Sequence, residues 1–338
     1  MRRWTPGARC WGCVAAACAM ISIACAEKPN VATRTKLRVV TQPYLALAPI
    51  HIAVAESLFA KHGLDVELVP MTRPIEAVPL LLTGELDVLS SGPQAGVFNA
   101  AARGEPIRAV AERGFYDARS RCAQIALVVR QGIDTARAAA TVRRLSYDRQ
   151  AAMIYITVKM LARAGLTVEG LEGTTEVPHL AEIEALKNGT LDVALAGEPW
   201  LSHIVAAGAG TVWIRAEDVA PNETFGYLFY GRNLLERDRD AGRRFMLAYR
   251  EAIARYLEGK TPRNVDILTA ATGEDRELVQ NACWASMRPD SRIDTAAMMD
   301  FQKWAQGKGL VPNLATVAQL WDSTFLAHAD SVARHDTR

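Results

Sequence analysis

The sequence predicts an α/β protein of two lobes, each a mostly parallel sheet flanked by helices, with a cleft between the lobes. Three observations predict it. First, strand-like and helix-like runs alternate from Leu37 onward, the pattern of βα units that build a parallel sheet covered on both faces. Second, LTGELDVLSSGPQ at residues 82 to 94 returns as KNGTLDVALAGEPW at residues 187 to 200. Gly84, Leu86, Asp87, Val88 and Gly92 recur as Gly189, Leu191, Asp192, Val193 and Gly197, each 105 positions on. Third, an earlier echo precedes this one in both halves: FAKHGLDVEL returns as LARAGLTVEG, with Gly63 and Gly165 102 positions apart. Two echoes in one order mark two related halves whose loops differ in length.

The elements follow in order. KLRVVTQ reads as the first strand. APIHIAVAESLFAKHG carries Ile52, Ala55 and Phe59 at helical spacing and stops at Gly63, a residue suited to the left-handed end of a helix. DVELVPM is a strand. PIEAVPLLLTG is a helix ending at Gly84, kinked or started late by Pro79. LDVLSSG is a strand that runs into a small-residue loop, and PQAGVFNAAARG with PIRAVAE repeats helix, glycine stop and strand. In the second half TVRRLSY, RQAAMIYITVKMLARAG, AEIEALKNG, LDVALAG, EPWLSHIVAAG and TVWIR keep that order. QIALVVR and FGYLFYG are apolar and β-prone, and read as the strands on which the chain crosses between lobes and returns. Residues 232 to 330 read as helices packed back on the first lobe, the longest with Phe245, Leu247, Ala248, Ile253 and Leu257 on one side. The lobes are then residues 36–123 with 228–330, and residues 124–227.

Residues 1–26 read as a signal peptide, with a basic MRRWTPGAR and an apolar CWGCVAAACAMISIACA too short for a membrane span. Two cleavage readings stay open. Ala24-Cys25-Ala26 suits ordinary small-x-small cleavage before Glu27, and SIAC is similar to a lipobox with Cys25 as the lipidated residue. Cys10, Cys13, Cys18 and Cys25 all fall here, so the Cys10-x-x-Cys13 spacing carries no redox reading. Cys122 and Cys283 remain. In an oxidising compartment they can pair, but two separate buried thiols is the reading preferred here. The net charge of +2, with no basic stripe or arginine-rich arm, excludes a nucleic-acid surface. No two histidines have the i, i+4 spacing of a metal pair, and no metal or cofactor is expected.

Ligands of open α/β sheets sit beyond the carboxyl ends of the strands. The loops there hold Gln42, Pro43 and Tyr44; Ser90, Ser91 and Gly92; and Phe115, Tyr116 and Asp117 at the first crossover. In the second half they hold Ser146, Tyr147, Asp148 and Arg149, then Glu198, Pro199 and Trp200, with Phe225 and Tyr227 on the return strand. The Ser90 and Ser91 hydroxyls, beside a helix start, suit an anion or a carbonyl. Asp148 reads as the N-cap of the helix that follows. Arg149 either clamps an acid group or faces solvent. Tyr44, Phe115, Tyr147, Trp200 and Phe225 suit the walls of a site for a flat ligand, although each alone also suits core. Glu198 either accepts from an amine-like ligand or caps the helix opened by Pro199. Asp87 and Asp192, present in both copies, read as structural.

PYLALAPIHIAVAESLFAKHGLDVELV, LLTGELDVLSSGP, ALKNGTLDVALAGEPW and the C-terminal GLVP with LWDSTFL carry a resemblance. Together, over residues 36 to 328, they resemble the periplasmic substrate-binding proteins of ATP-driven importers, in the group for nitrate, sulfonates and taurine, and thiamine-pyrimidine precursors. The resemblance implies a type II periplasmic-binding-protein fold that closes on a small molecule by hinge motion. It implies a monomer that docks on a membrane permease served by an ATPase, with no cofactor. The location it implies is the periplasm or the outer face of the cytoplasmic membrane. The expected ligand is a small organic molecule, a heteroaromatic such as a thiamine pyrimidine precursor or an organic sulfonate. The loop at Ser146-Tyr147 departs from the glycine-serine loop usual in the group. Enzymes on the same fold are the alternative. A sulfinate desulfinase needs a nucleophilic cysteine near the first-lobe loops, where Gln42-Pro43-Tyr44 stands, and a pyrimidine synthase needs a cysteine-rich motif that the chain after residue 26 lacks. A binding protein that feeds a sensor would read identically.

Overall fold

A computed structural model describes residues 34–336; the predicted signal segment, with Cys25, lies outside the described residues. The strands are β1 (Thr35–Thr41), β2 (Leu64–Pro70), β3 (Val88–Ser91), β4 (Arg108–Phe115), β5 (Ile125–Arg130), β6 (Arg144–Ser146), β7 (Gly173–Thr175), β8 (Val193–Gly197), β9 (Gly210–Arg215) and β10 (Thr224–Tyr230). They form two five-stranded sheets, in the orders β2-β1-β3-β10-β4 and β7-β6-β8-β5-β9. Four strands of each sheet run one way. The fifth, β10 in the first sheet and β5 in the second, runs against both of its neighbours.

The two reversed strands are the predicted crossing strands. β5 comes directly after the first half of the chain yet pairs with β8 and β9 of the second. β10 comes after the second half yet lies between β3 and β4 of the first. Residues 224–227, set with the second lobe by the sequence division, therefore pair in the first sheet.

The repeated residues have repeated jobs. Gly84 and Gly189 end their helices at φ of 88° and 75°, where a side chain would be strained. The Asp87 carboxylate accepts the Arg38 N–H at 2.7 Å and an Asn233 Nδ2–H at 2.8 Å. The Asp192 carboxylate accepts the Arg143 and Arg144 N–H groups at 3.1 and 3.0 Å. Each aspartate thus pins the neighbouring strand, Asp87 at the middle of β1 and Asp192 at the start of β6. Burial opposes ionisation of Asp192, but the Arg144 guanidinium and these N–H groups outweigh it and hold its pKa below the ordinary carboxylate range.

Two helices depart from expectation. The helix predicted over residues 48–63 breaks into Ala48–Ala55 and Leu58–Lys61. Ser57 takes a left-handed conformation between them, and the short second piece sets Phe59 against Phe245 at 4.7 Å. On the long helix Arg239–Leu257 the buried face is Phe245, Met246, Ala248, Tyr249, Ala252, Ile253 and Tyr256. Leu247 is only partly buried and Leu257 is exposed. Among the described residues no helix is long and apolar enough to cross a membrane.

Cys122 and Cys283 are joined in a disulfide, contrary to the separate-thiol reading. The fold brings their Cα atoms to 5.6 Å across a sequence separation of 161. No local pattern encodes such a distance. The bridge ties the first crossover to the segment before the helix Thr295–Gly307.

Candidate functional site

The carboxyl ends of β1 and β3 face those of β6 and β8 across a cleft with two compartments. The inner chamber encloses about 100 Å³. An outer groove of about 860 Å³ opens beyond it, and Gln42, Tyr44, His179 and Trp200 line both. The lobes meet closely at the chamber. A Cβ placed on Gly92 would stand 3.0 Å from the Cβ of Ala152 on the opposite lobe, so a larger residue at Gly92 would press the two lobes apart locally.

The chamber's central feature is Arg113 on β4. It is 8% exposed and makes no hydrogen bond or ion pair among the described residues. Its guanidinium carbon stands 5.4 Å from the centroid of the Phe225 ring. Burial pulls its pKa down to about 10, so the group remains a cation at neutral pH. The backbone makes room for it. Gly114 on β4 pairs with Gly226 on β10. A Cβ on Gly226 would lie 2.6 Å from Arg113 Nε, and one on Gly114 would lie 2.6 Å from Cζ of Phe225. The glycine pair is therefore a slot in which the guanidinium and the ring lie flat on the sheet. Gly226→Ala is expected to displace the guanidinium and weaken anion binding by at least about tenfold, the worth of one charge-assisted hydrogen bond. Titration calorimetry with ethanesulfonate checks it, and unchanged affinity would mean that the slot does not position Arg113.

Seven of the twelve ligand contacts expected from sequence line the chamber: Gln42, Tyr44, Ser91, Asp148, Glu198, Trp200 and Phe225. Gln42 is anchored by donating to the Thr72 carbonyl at 3.1 Å. The Tyr44 phenol has its pKa raised by burial first and by Asp148 second. The Ser91 hydroxyl donates to the Gly92 carbonyl at 2.9 Å. Phe225 packs against Tyr116, with ring centroids 4.9 Å apart and planes tilted by 31°. Trp200 stacks on His179, with ring centroids 5.0 Å apart and planes 22° from parallel.

Glu198 lines the chamber, but protein donors hold its oxygens. Oε1 accepts the Cys283 N–H at 2.8 Å and the Ser202 hydroxyl at 2.9 Å, and Oε2 accepts the Ser202 N–H at 3.2 Å. Burial raises its pKa and these donors pull it back. This is the helix-capping role, with an added tie across to the disulfide. Asp148 is not the N-cap. Its carboxylate accepts the Gln150 N–H at 2.8 Å and the Gln150 Nε2–H at 2.6 Å, and Gln150 itself occupies the cap position of the helix Ala151–Arg163. An Asp two residues earlier closes a turn instead.

The other five do not line the chamber. Ser90 is buried on β3 beside Ser91, and successive strand residues face opposite ways. Phe115 lies on the far side of β4, under the Arg288 guanidinium at 4.1 Å. The register of β4 with β10 shifts between Thr224 and Gly226, which turns Phe115 to the side of Glu112 rather than that of Arg113. Tyr116 backs Phe225 from behind. Tyr147 is buried in the second lobe, its N–H bonded to the Thr175 carbonyl at 3.2 Å. Arg149 is exposed, so the acid-clamp role expected for it passes to Arg113.

Arg113, Gln124, Met153 and His179 line the chamber without having been expected. The signal for Arg113 was Glu112-Arg113-Gly114, two adjacent charges in the interior of a strand whose other interior residues are apolar. Charges on both faces of a covered strand demand partners. Glu112 has them in Thr224 and Arg288, whereas Arg113 has none.

The profile of the NMT1-like family matches residues 31–269. Solved structures share the fold at low identity. The aliphatic sulphonate binding protein SsuA from Escherichia coli superposes with a TM-score of 0.69 at 16% identity, covering 85% of this chain and 92% of that one. The nitrate-binding protein NrtA from Synechocystis PCC 6803 gives 0.68 at 14% identity, with 89% of each chain covered. A mutant of DszB in complex with biphenyl-2-sulfinic acid gives 0.63 at 13% identity, covering 88% of this chain and 99% of that one. No curated protein sequence matches significantly. The two lobes, the reversed strand in each sheet and the cleft between them are thus the fold of the periplasmic binding proteins. With the profile running through both sheets, from residue 31 to residue 269, the chain belongs to the NMT1-like family.

Proposed function

We propose that the protein is the extracytoplasmic solute-binding component of an ATP-driven importer, and that its solute is a small organic acid held at Arg113. One observation carries this reading: a guanidinium buried in the chamber without a hydrogen-bond or ion-pair partner among the described residues. Burying an ion costs several kcal/mol even after relaxation, and the cost is recovered only when a counter-charge arrives. An acid group in the chamber supplies that charge and accepts a bidentate hydrogen bond from the fork of the arginine. The names of two relatives on the fold, a sulphonate binder and a nitrate binder, support an anion. The amine-like ligand first expected at Glu198 loses its support, because that carboxylate is occupied by Cys283 and Ser202. Trp200, Met153 and Phe225 would flank the body of the acid, and contact with both lobes would favour the closed form over the open one. Of the described residues the cysteines are tied in a disulfide, which supports binding over thiol-based hydrolysis.

A thermal-shift panel of ethanesulfonate, benzenesulfonate, nitrate and 4-aminopyrimidine tests the ligand class. The acids are expected to raise the melting temperature, by the equivalent of about 2.7 kcal/mol at a hundredfold excess over Kd. A shift with the aminopyrimidine alone would overturn the anion reading. Delivery to a permease is tested separately. A strain lacking this protein should lose uptake of the stabilising acid, and undiminished uptake would favour a sensor.

A further inference from the structure

We propose that His179 is a second cation of the binding site, and that it takes up a proton when an anion fills the chamber. The inference rests on the anion reading of Arg113. His179 is the first residue of the helix His179–Lys187 and lines both the chamber and the outer groove. Its Nδ1 stands 3.1 Å from Oε2 of Glu182. Glu182 is 2% exposed, and its Oε1 accepts the Ser146 hydroxyl at 2.6 Å. With Glu182 as the ionised acceptor, the proton shared in this contact sits on Nδ1 of the histidine. Among the described residues Nε2, on the opposite side of the ring, has no hydrogen-bond partner. Stacking on Trp200 holds the ring plane at the neck between the two compartments.

Neutral, this imidazole offers Nε2 only as an acceptor, which an anion does not want. Protonated, it donates from Nε2 while Glu182 balances its charge from behind. An anion arriving at Arg113 therefore favours the protonated form. The charged and titratable groups around the ring are few. Asp148, Tyr44 and Arg113 line the chamber with it, and Glu198 and His203 flank Trp200. His203 is engaged by Glu274 at 2.7 Å. Arg263 and Asp266 stand in the outer groove. Of the packed strands, β8 brings no charged residue, and Arg130 of β5 is paired with Asp192 at 3.4 Å.

Calorimetric titration of the whole protein with ethanesulfonate and with nitrate is the test. Neither anion titrates in the working range, so any proton taken up belongs to the protein. The wild type is expected to bind about tenfold more tightly at roughly pH 5.5 than at roughly pH 8.5, the worth of one charge-assisted hydrogen bond made only by the protonated imidazole. Measured heats in two buffers of different ionisation enthalpy should show proton uptake on binding at neutral pH. His179→Gln should bind more weakly at low pH and show no pH slope, while His203→Gln should keep the slope. A flat wild-type profile, or a slope that survives His179→Gln, overturns the proposal. Binding of neither anion at any pH would instead sink the anion reading on which it rests.

Discussion

Arg113→Met is expected to weaken binding of ethanesulfonate at least about thirtyfold while leaving the melting temperature unchanged or higher. The two halves of this expectation come from the same fact. The guanidinium is buried over the face of Phe225 and makes no hydrogen bond among the described residues. Methionine is similarly long, carries no charge, and leaves no buried donor unsatisfied. Replacing a buried charge by an apolar side chain of similar volume is commonly neutral or stabilising by about 1–4 kcal/mol. Binding should fall because the acid would then be desolvated against an apolar wall. Losing a buried charge-assisted partner costs about 2–5 kcal/mol, which is roughly thirtyfold to several thousandfold in Kd. Calorimetric titration gives the affinity and a melting scan gives the stability. Retained affinity would place the acid group elsewhere. A large drop in melting temperature would mean that Arg113 supports the fold rather than the ligand.

Removing the disulfide should produce the largest change in stability. The paired variant Cys122→Ser, Cys283→Ser opens a covalent loop whose ends are 161 positions apart. A loop of this length restrains the unfolded chain strongly, and the loss is expected to be about 3–5 kcal/mol. Urea unfolding of the paired variant, followed by circular dichroism, measures it as a lower midpoint, with a steeper slope because the unfolded chain without the bridge is less compact. A midpoint within error of wild type would show that the bridge does not restrain the unfolded chain. The Cys283 N–H also holds Glu198, whose helix begins with Trp200. The same variant should therefore loosen the aromatic wall of the chamber, with an effect on ethanesulfonate affinity smaller than that of Arg113→Met.

The fold was legible because the chain states it twice. Gly84 with Asp87, and Gly189 with Asp192, mark a helix stop and a strand anchor that no other residue types supply so simply. The apolar crossing strands were legible too, since β-prone runs without a helix partner must join a sheet already built. The site was less legible, for three physical reasons. Loop residues that reach a chamber cannot be told from their neighbours when a register shift decides the facing, as it does for Phe115. Capping competes with ligand binding for the same side chains, as at Glu198 and Asp148. And Arg113 sits within a strand, where its lack of a partner is a property of three dimensions alone. His179 stands in no motif of the sequence. Its pairing with Glu182, one turn along the same helix, lay within reach of i, i+3 spacing.

The reciprocal placing of β5 and β10 bears on how the chain comes into being. A ribosome that has made the first hundred and fifteen residues has supplied β1 to β4, yet the first sheet still lacks the strand that joins β3 to β4. That strand ends at Tyr230, after every strand of the second sheet has been made. The second sheet is in the opposite position, since β5 precedes all of its partners and waits for them. The lobe begun first is therefore completed last. A nascent chain arrested between β9 and β10 should hold a protease-resistant second lobe on an open first one, an order of assembly that pulse proteolysis of stalled chains can read directly.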